Sequence, residues 1–219
     1  MNIFVLACNA AAAADLHCDQ HVCKMLIETA QMLYTYLDSI GELARIDLVN
    51  PLTGDALTPY KSTHKHHPCV LWLHGGRSHW AWLVSLGMHL CDRYHDIYGK
   101  THKTAEHLFA LETWVYPERL PDDCHPAEWL QRLGAHGVSR DVIASCAAKV
   151  CLADPPHGCH FGVACMSDET VPLEVDEHGN ASTVNSYRSL MRHKQAVDLK
   201  NMRWAKQGDP PSDLVNWVS

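Results

Sequence analysis

Between Ala12 and Leu37 the apolar residues of this chain return every three or four positions. Turned through about 100° per residue, Val22, Leu26, Ala30, Leu33 and Leu37 fall on one face. That period excludes a strand and predicts one long helix from about Ala12 to Leu37. The opposite stripe carries His17, His21, Lys24, Glu28 and Gln31 at spacings of 4, 3, 4 and 3, and Thr35 and Asp38 extend it. Such a stripe is either a wet surface or the wall of a site. Histidine and glutamine are unusual choices for plain solubility, and no apolar residue interrupts the stripe, as expected of a wall facing a polar cavity. A Lys24–Glu28 pair one turn apart contributes only about 0.3–0.5 kcal/mol when exposed. Buried, the same pair could orient a substrate or tune a general acid or base.

The rest of the chain is also mostly helical in pattern. "NIFVL" reads as a short strand. "RSHWAWLVSLGMHLCDRYHDIYG" reads as a second long helix, with Gly99 as its C-cap. A third helix is expected near "KTAEHLFALETWV", before Pro117, Pro121 and Pro126 break the pattern. "PAEWLQRLGAHG" and "SRDVIASCAAKVCL" read as a helix pair, the second capped by Ser139. "ADPPHGCHFG" is irregular, and "ETVPLEVDEHGNAST" suits a short strand and a turn at Gly179–Asn180. "STVNSYRSLMRHKQAVDLKNMRWAKQ" reads as the last helix; Arg188, Arg192, Lys194 and Lys200 make it the most basic part of the chain. The expected fold is mainly α: a single helical domain over residues 1–219, with a short N-terminal strand and minor β elements in the C-terminal third. Residues 1–116 would form the motif-bearing helical core and 117–219 a C-terminal helical extension.

Composition narrows the function classes. Apolar residues make up 47% and charged residues 20%, a globular balance. The formal net charge of −7 argues against a protein that coats duplex DNA, since non-specific affinity for DNA comes from Lys and Arg; a local basic groove remains open. No basic start precedes the first apolar run, and no run reaches the roughly 18 residues of a membrane span. Ten cysteines without a secretory leader or any C-x-x-C pair point to free thiols in a reducing cytosol. The expectation is a cytoplasmic protein without a membrane partner. The P-loop, dinucleotide-binding, zincin and nucleophile-elbow motifs are absent, as is the H-x-E with P-C-x-x-C signature of zinc deaminases.

The 17 histidines are the compositional outlier, and they cluster. In "THKHHPC", His64 and His67 lie three apart, with His66 between them and Cys69 just beyond. Imidazole binds zinc, iron, copper and nickel, and also serves as acid and base. Joined to His17, His21 and Glu28, this loop could complete a mixed histidine/carboxylate site for a divalent transition metal such as Zn, Fe or Mn. "HGCHFGVAC" offers His157, Cys159, His160 and Cys165, at a spacing that matches no standard zinc pattern. Lys100, His102 and Lys103 in "YGKTHK" form a small basic patch behind a helix end. Trp72, Trp80, Trp82 and Trp114 read as core or cavity wall.

"MNIFVL", "CDQHVCKMLIETAQML", "YKSTHKHHPCVLW" and "LCDRYHDIYGKTHK" together resemble an uncharacterised family of small proteins often met in bacteriophages. Its members share D-K-H/R-V-V-K-M-x-x-E-x-x-Q-x-L, then Y-K-x-T-H-x-x-H-P-C-x-x-W, then E-Y-x-x-R-Y/F-G-K-x-H. The match covers most of residues 1–103, and "FGVACMSD", "SYRSL" and "RWAK" sit where the family has comparable short motifs. Asp19, Lys24, Glu28, Gln31, Lys61, His64, His67, Trp72, Gly99, Lys100 and His102 fall on motif positions. The layout is also distantly similar to the pyrimidine-dimer DNA glycosylase/AP-lyase family, whose mechanism uses the N-terminal amine as nucleophile and a helix glutamate to help form the imine. The resemblance implies a phage-type enzyme acting on a nucleotide or nucleic-acid base, in a pocket between the first helix and the "YKSTHKHHP" loop. Glu28 and His64 would do acid–base work with His67 orienting His64; Lys24, Lys61 and Lys100 would hold phosphate, and Asp19, Gln31, Trp72 and His102 would line the substrate. Two readings stand beside it. One is a His/carboxylate metal-dependent enzyme using His64, His67 and Glu28, with His17 or His21 as further candidate ligands. The other is a non-catalytic phage factor that binds a nucleotide or a protein.

Overall fold

The computed structural model describes residues 2–115, 117–165 and 171–197, together with 202 and 204. Among the described residues there are eight helices and one two-stranded sheet. The expected mainly helical fold is what forms. The helix predicted from Ala12 to Leu37 is in fact two: α1 (Ala10–Asp15) and α2 (Asp19–Ser39). Asn9 starts α1 by accepting the Ala12 amide on its side chain. At its end, His17 Nδ1 bonds the Ala13 carbonyl at 2.7 Å, which also accepts the Leu16 amide at 3.3 Å. Leu16, His17 and Cys18 are all buried where the chain leaves α1 and re-enters the helix at α2, with Cys18 as the N-cap of α2.

α3 (Pro68–Trp72) is short, with His67 as N-cap and Pro68 in its first turn. α4 (Arg77–Tyr98) ends at Gly99, which takes the left-handed conformation (φ 62°) expected of a C-cap glycine. α5 (Ala105–Trp114) follows. α2, α4 and α5 meet at Gly87, where a Cβ would lie 3.0 Å from both Thr29 Cγ2 and Leu108 Cδ2; only glycine lets the helices close there. α6 (Pro126–Ala135) and α7 (Arg140–Ala147) form the expected pair, and Ser139 caps α7 through the Val142 amide.

The C-terminal third runs through β1 (Val150–Cys151) and β2 (Gly162–Val163), antiparallel to each other, to α8 (Thr183–Val197). Gly162 leaves room for α8: a side chain there would collide with Thr183. The expected turn near Gly179 forms beside an isolated bridge between Val175 and Ala181. The continuation of the last helix through Lys200 lies outside the described residues, as does most of "RWAK". "NIFVL" is not a strand. Ile3, Phe4, Val5 and Leu6 are buried against the helices without a ladder partner, because the segment threads the core instead of joining a sheet.

One continuous apolar core runs from Ile3 to Trp204 and draws on both halves of the chain. Trp72 and Trp129 are its bolts. The Trp72 indole donates to the Phe161 carbonyl at 3.0 Å, and that of Trp129 donates to the Leu71 carbonyl at 2.8 Å. α3 is thereby fixed to the segment before β2 on one side and to α6 on the other. No helix among the described residues is long and apolar enough to cross a membrane.

Candidate functional site around Asn2

The polar stripe of α2 is largely a wall. His21, Glu28 and Thr35 are buried, Gln31 is half-buried, and only Lys24 and Asp38 reach solvent. Its N-terminal half faces the segment that begins at Asn2. The Asn2 main-chain nitrogen donates to Glu28 Oε2 at 2.8 Å, and Lys24 Nζ lies 3.4 Å from Glu28 Oε1. Glu28 is therefore held between a cation and a main-chain N–H.

Asn2 links that carboxylate to a second group. Its side-chain nitrogen donates to the Cys165 carbonyl at 2.9 Å. Its side-chain oxygen accepts from Tyr187 Oη at 2.9 Å, from the Ile3 amide at 2.8 Å and from Cys69 Sγ at 3.6 Å. Tyr187 in turn accepts the Cys165 amide at 3.0 Å. Around this brace His67, Cys69 and Cys165 gather: one ligand atom from each lies within 4.8 Å of the other two. His67 reaches inward because the chain turns sharply before it. His64 takes a left-handed conformation (φ 52°), uncommon outside glycine, and its carbonyl accepts the His67 amide at 2.8 Å. Pro68 then starts α3, which points Cys69 into the core, while β2 delivers Cys165 from the other side.

The two sulfurs titrate as a pair. Burial alone pushes the Cys69 thiol up. Contacts with Cys165 and His67 and the Ile3 amide reverse that, so Cys69 ends below the usual thiol value. Cys165 is raised, first by its contact with Cys69 and then by burial. Of the two, Cys69 is thus the sulfur on which the thiolate is favoured. The Tyr187 hydroxyl is held neutral by burial and by the two sulfurs beside it.

The residues expected at a site therefore divide. Glu28, Lys24 and His67 come to the Asn2 region. His64 is exposed and bonds its neighbour Thr63 at 2.7 Å, with His67 capping α3 beside it instead of orienting it. Lys61 and Lys100 are exposed. Trp72 is a core residue that packs edge-on against Trp82 and His79 and presents no face to a ligand. His102 accepts the Thr104 amide and borders a separate cleft of about 250 Å³ with Asn50, Thr101, Lys103 and Glu106. Asp19 is half-buried, with its carbonyl accepting Tyr98 Oη at 3.2 Å. The expected metal set of His17, His21, His64 and His67 is replaced: His67, Cys69 and Cys165 are the one metal-capable group among the described residues. His17 turns to Ala13, and His21 stacks on Phe4 with ring centroids 4.7 Å apart. Burial drives both imidazoles down, to about 4 and about 3. His157 and His160 are exposed and leave Cys165 to other partners.

Sequence reasoning missed Asn2 and Tyr187, and it placed Cys165 in the wrong cluster. Cys69 and Cys165 each stood in a stretch already singled out, but no spacing rule joins positions so distant in the chain. Comparison with protein-family models, with curated proteins and with solved structures finds no match.

Proposed function

We propose that this chain is an enzyme acting on a nucleotide or nucleic-acid base, with Glu28 as its acid–base group. The observation that carries the reading is the 2.8 Å bond between Glu28 Oε2 and the Asn2 main-chain nitrogen, at the buried end of the polar stripe. A carboxylate largely walled off from solvent, with Lys24 beside it, is suited to moving a proton. Lys24, mostly exposed on the same helix, offers a charge to a phosphate. The substrate class comes from the resemblance to the phage family, whose motif positions include Lys24, Glu28 and His67.

The same bond supports the glycosylase/lyase form of the reading. In the chain as written the Asn2 nitrogen is an amide and cannot attack. Removal of Met1 would make it a primary amine already hydrogen-bonded to the carboxylate that would take its proton. Attack on the sugar C1′ would then break the bond to the base, which would leave with the proton Glu28 had taken; Glu28 would pass a second proton from the attacking nitrogen to the ring oxygen as the sugar opens, leaving a protonated imine.

The test is incubation with a panel of nucleotides and of oligonucleotides bearing abasic sites, pyrimidine dimers and modified bases, with and without borohydride. Turnover lost in Glu28→Gln supports the reading. A reduced adduct at Asn2 selects the lyase form; turnover without an adduct selects acid–base chemistry by Glu28. Wild-type protein inert across the panel, or Glu28→Gln equal to wild type, overturns the proposal.

A further inference from the structure

We propose that His67, Cys69 and Cys165 bind one zinc-class divalent ion. This site is independent of the nucleobase reading: it uses neither Glu28 nor Lys24, and it holds whatever the substrate is.

Geometry comes first. In a tetrahedral zinc site with Zn–S near 2.3 Å and Zn–N near 2.0–2.1 Å, two sulfurs lie about 3.8 Å apart and each sulfur about 3.5 Å from the nitrogen. A trio whose ligand atoms all fall within 4.8 Å meets that requirement with shifts of about an ångström or less. The three atoms also come from three separately braced places. Cys69 sits on α3, fixed by Trp72 and Trp129. His67 is its N-cap, and Cys165 follows β2 and is gripped by Asn2 and Tyr187. The ligands are thus assembled before any ion arrives.

Donor chemistry selects the metal. Two thiolates and an imidazole suit zinc, and disfavour magnesium and calcium, which take oxygen ligands. Two thiolates neutralise the dication, so the loaded site adds no net charge to a buried place. Binding displaces protons: those of the Cys69 and Cys165 thiols leave for solvent as the two S–Zn bonds form.

Asn2 is a brace and not the fourth ligand. Its side-chain oxygen already accepts from Tyr187 and from Ile3, and its nitrogen holds the Cys165 carbonyl. Outer-shell partners of this kind fix ligand orientation, and their loss typically costs about 10–100-fold in affinity. The fourth position is left to water or another small donor, approached from the half-buried His67 side.

The experiment uses untagged full-length protein, kept reduced, stripped with chelator and titrated with Zn²⁺ and with Co²⁺. The expected result is one tight equivalent per chain. Co²⁺ should give a thiolate-to-cobalt charge-transfer band with visible bands of tetrahedral intensity, and Zn²⁺ should raise the melting temperature. Cys165→Ser should lose part of the charge-transfer band and most of the affinity, and His67→Gln most of the affinity with the band retained at saturation. Tyr187→Phe should weaken binding about 10–100-fold. Cys91→Ser, which alters a buried thiol outside the trio, should bind as wild type. If Cys165→Ser fails to fold, the His67→Gln and Tyr187→Phe titrations still decide. Three results overturn the proposal: uptake without a thiolate band, uptake unchanged in the Cys165 and His67 variants, or no uptake by reduced protein whose Cys69 and Cys165 are free thiols or readily oxidise to a disulfide.

Discussion

The two ends of the α2 stripe are made of similar residues and do different work. At the C-terminal end the polar groups are satisfied by one loop and go no further. Thr35 Oγ1 donates to the Gln31 carbonyl at 2.7 Å and accepts the Thr63 amide at 3.2 Å; Asp38 takes Ser62 and Lys65 at 2.7 Å each, in the open. This end pins down the loop before α3. At the N-terminal end Glu28 bonds the start of the chain, and the chain start braces a thiol pair brought from two distant segments. A polar stripe thus becomes a site where its partner is buried and itself tied to a further remote segment, as Asn2 is to Cys165. Where its partners belong to a single loop, it is a fastening.

The sharpest way to break this contrast is to neutralise one carboxylate at each end. Glu28→Gln should lower turnover by about 10²–10⁴-fold, the usual worth of a general acid or base, with its melting curve near wild type. Asp38→Asn should leave turnover within about twofold of wild type, because an exposed pair contributes at most about 1 kcal/mol and touches nothing reactive. Steady-state kinetics on both variants decides; equal losses would mean that the two ends serve the same site.

Acid separates the ends next. His17 and His21 are neutral in the folded chain, pushed by burial from 6.5 to about 4 and about 3. The unfolded chain binds protons on them first, so their contribution is full above pH 6.5 and is lost as pH falls from 6.5 toward 3. Each should cost about 2 kcal/mol by pH 5. Asp38 shifts in the same direction for a different reason: Lys65 and Ser62 hold its carboxyl below the ordinary 3.8, so its window lies lower on the pH scale. Its stabilisation is present above that value and fades only as pH falls through the lower, folded one. Denaturant unfolding at pH 7 and pH 5 should therefore show a marked loss of stability in wild type and in Asp38→Asn, and a shallower one in His21→Gln. His74 and His79, also buried and lowered to about 3 and about 4, keep the slope from vanishing.

Tyr187→Phe tests the brace alone. Removing the hydroxyl strips the buried Cys165 amide of its acceptor and takes one donor from Asn2. The expected cost is about 1–3 kcal/mol in denaturant unfolding at pH 7. A smaller loss would show that the Asn2 region is less tightly built than the bond pattern says.

Much of the fold was legible in the sequence, and little of the site. Helical period and capping are local properties, so α4 with its Gly99 cap and α7 with its Ser139 cap follow from neighbouring residues. The break between α1 and α2 did not follow, because no glycine or proline marks a stop at Leu16, His17 and Cys18 and the helical pattern runs on through them. "NIFVL" misled for a related reason: a short run of branched apolar residues suits a strand, but whether it pairs depends on a neighbour elsewhere. At the site, Glu28 and Lys24 were visible because the stripe follows helical geometry, and His67 because histidines crowd its loop. Cys165, Tyr187 and Asn2 were not, since their roles arise only when three remote segments meet. Crowding of histidines also pointed the wrong way, toward His17, His21 and His64: composition counts donors and does not show which of them face each other.

The smallest expected effect is the one that tests whether the ends are separate at all. Thr35→Val keeps the buried shape but leaves the Thr63 amide without its acceptor, and should cost about 1 kcal/mol with no change in turnover. Combined with Tyr187→Phe, the losses should add to within about 0.5 kcal/mol, as they do for sites that share no partner. Additivity would fix the stripe as two independent devices carried on one helix. A coupling larger than that would mean that strain at the loop is felt at Cys69. The route for it is short: Thr63 precedes His64, His64 sets the turn that aims His67, and His67 caps the helix carrying Cys69.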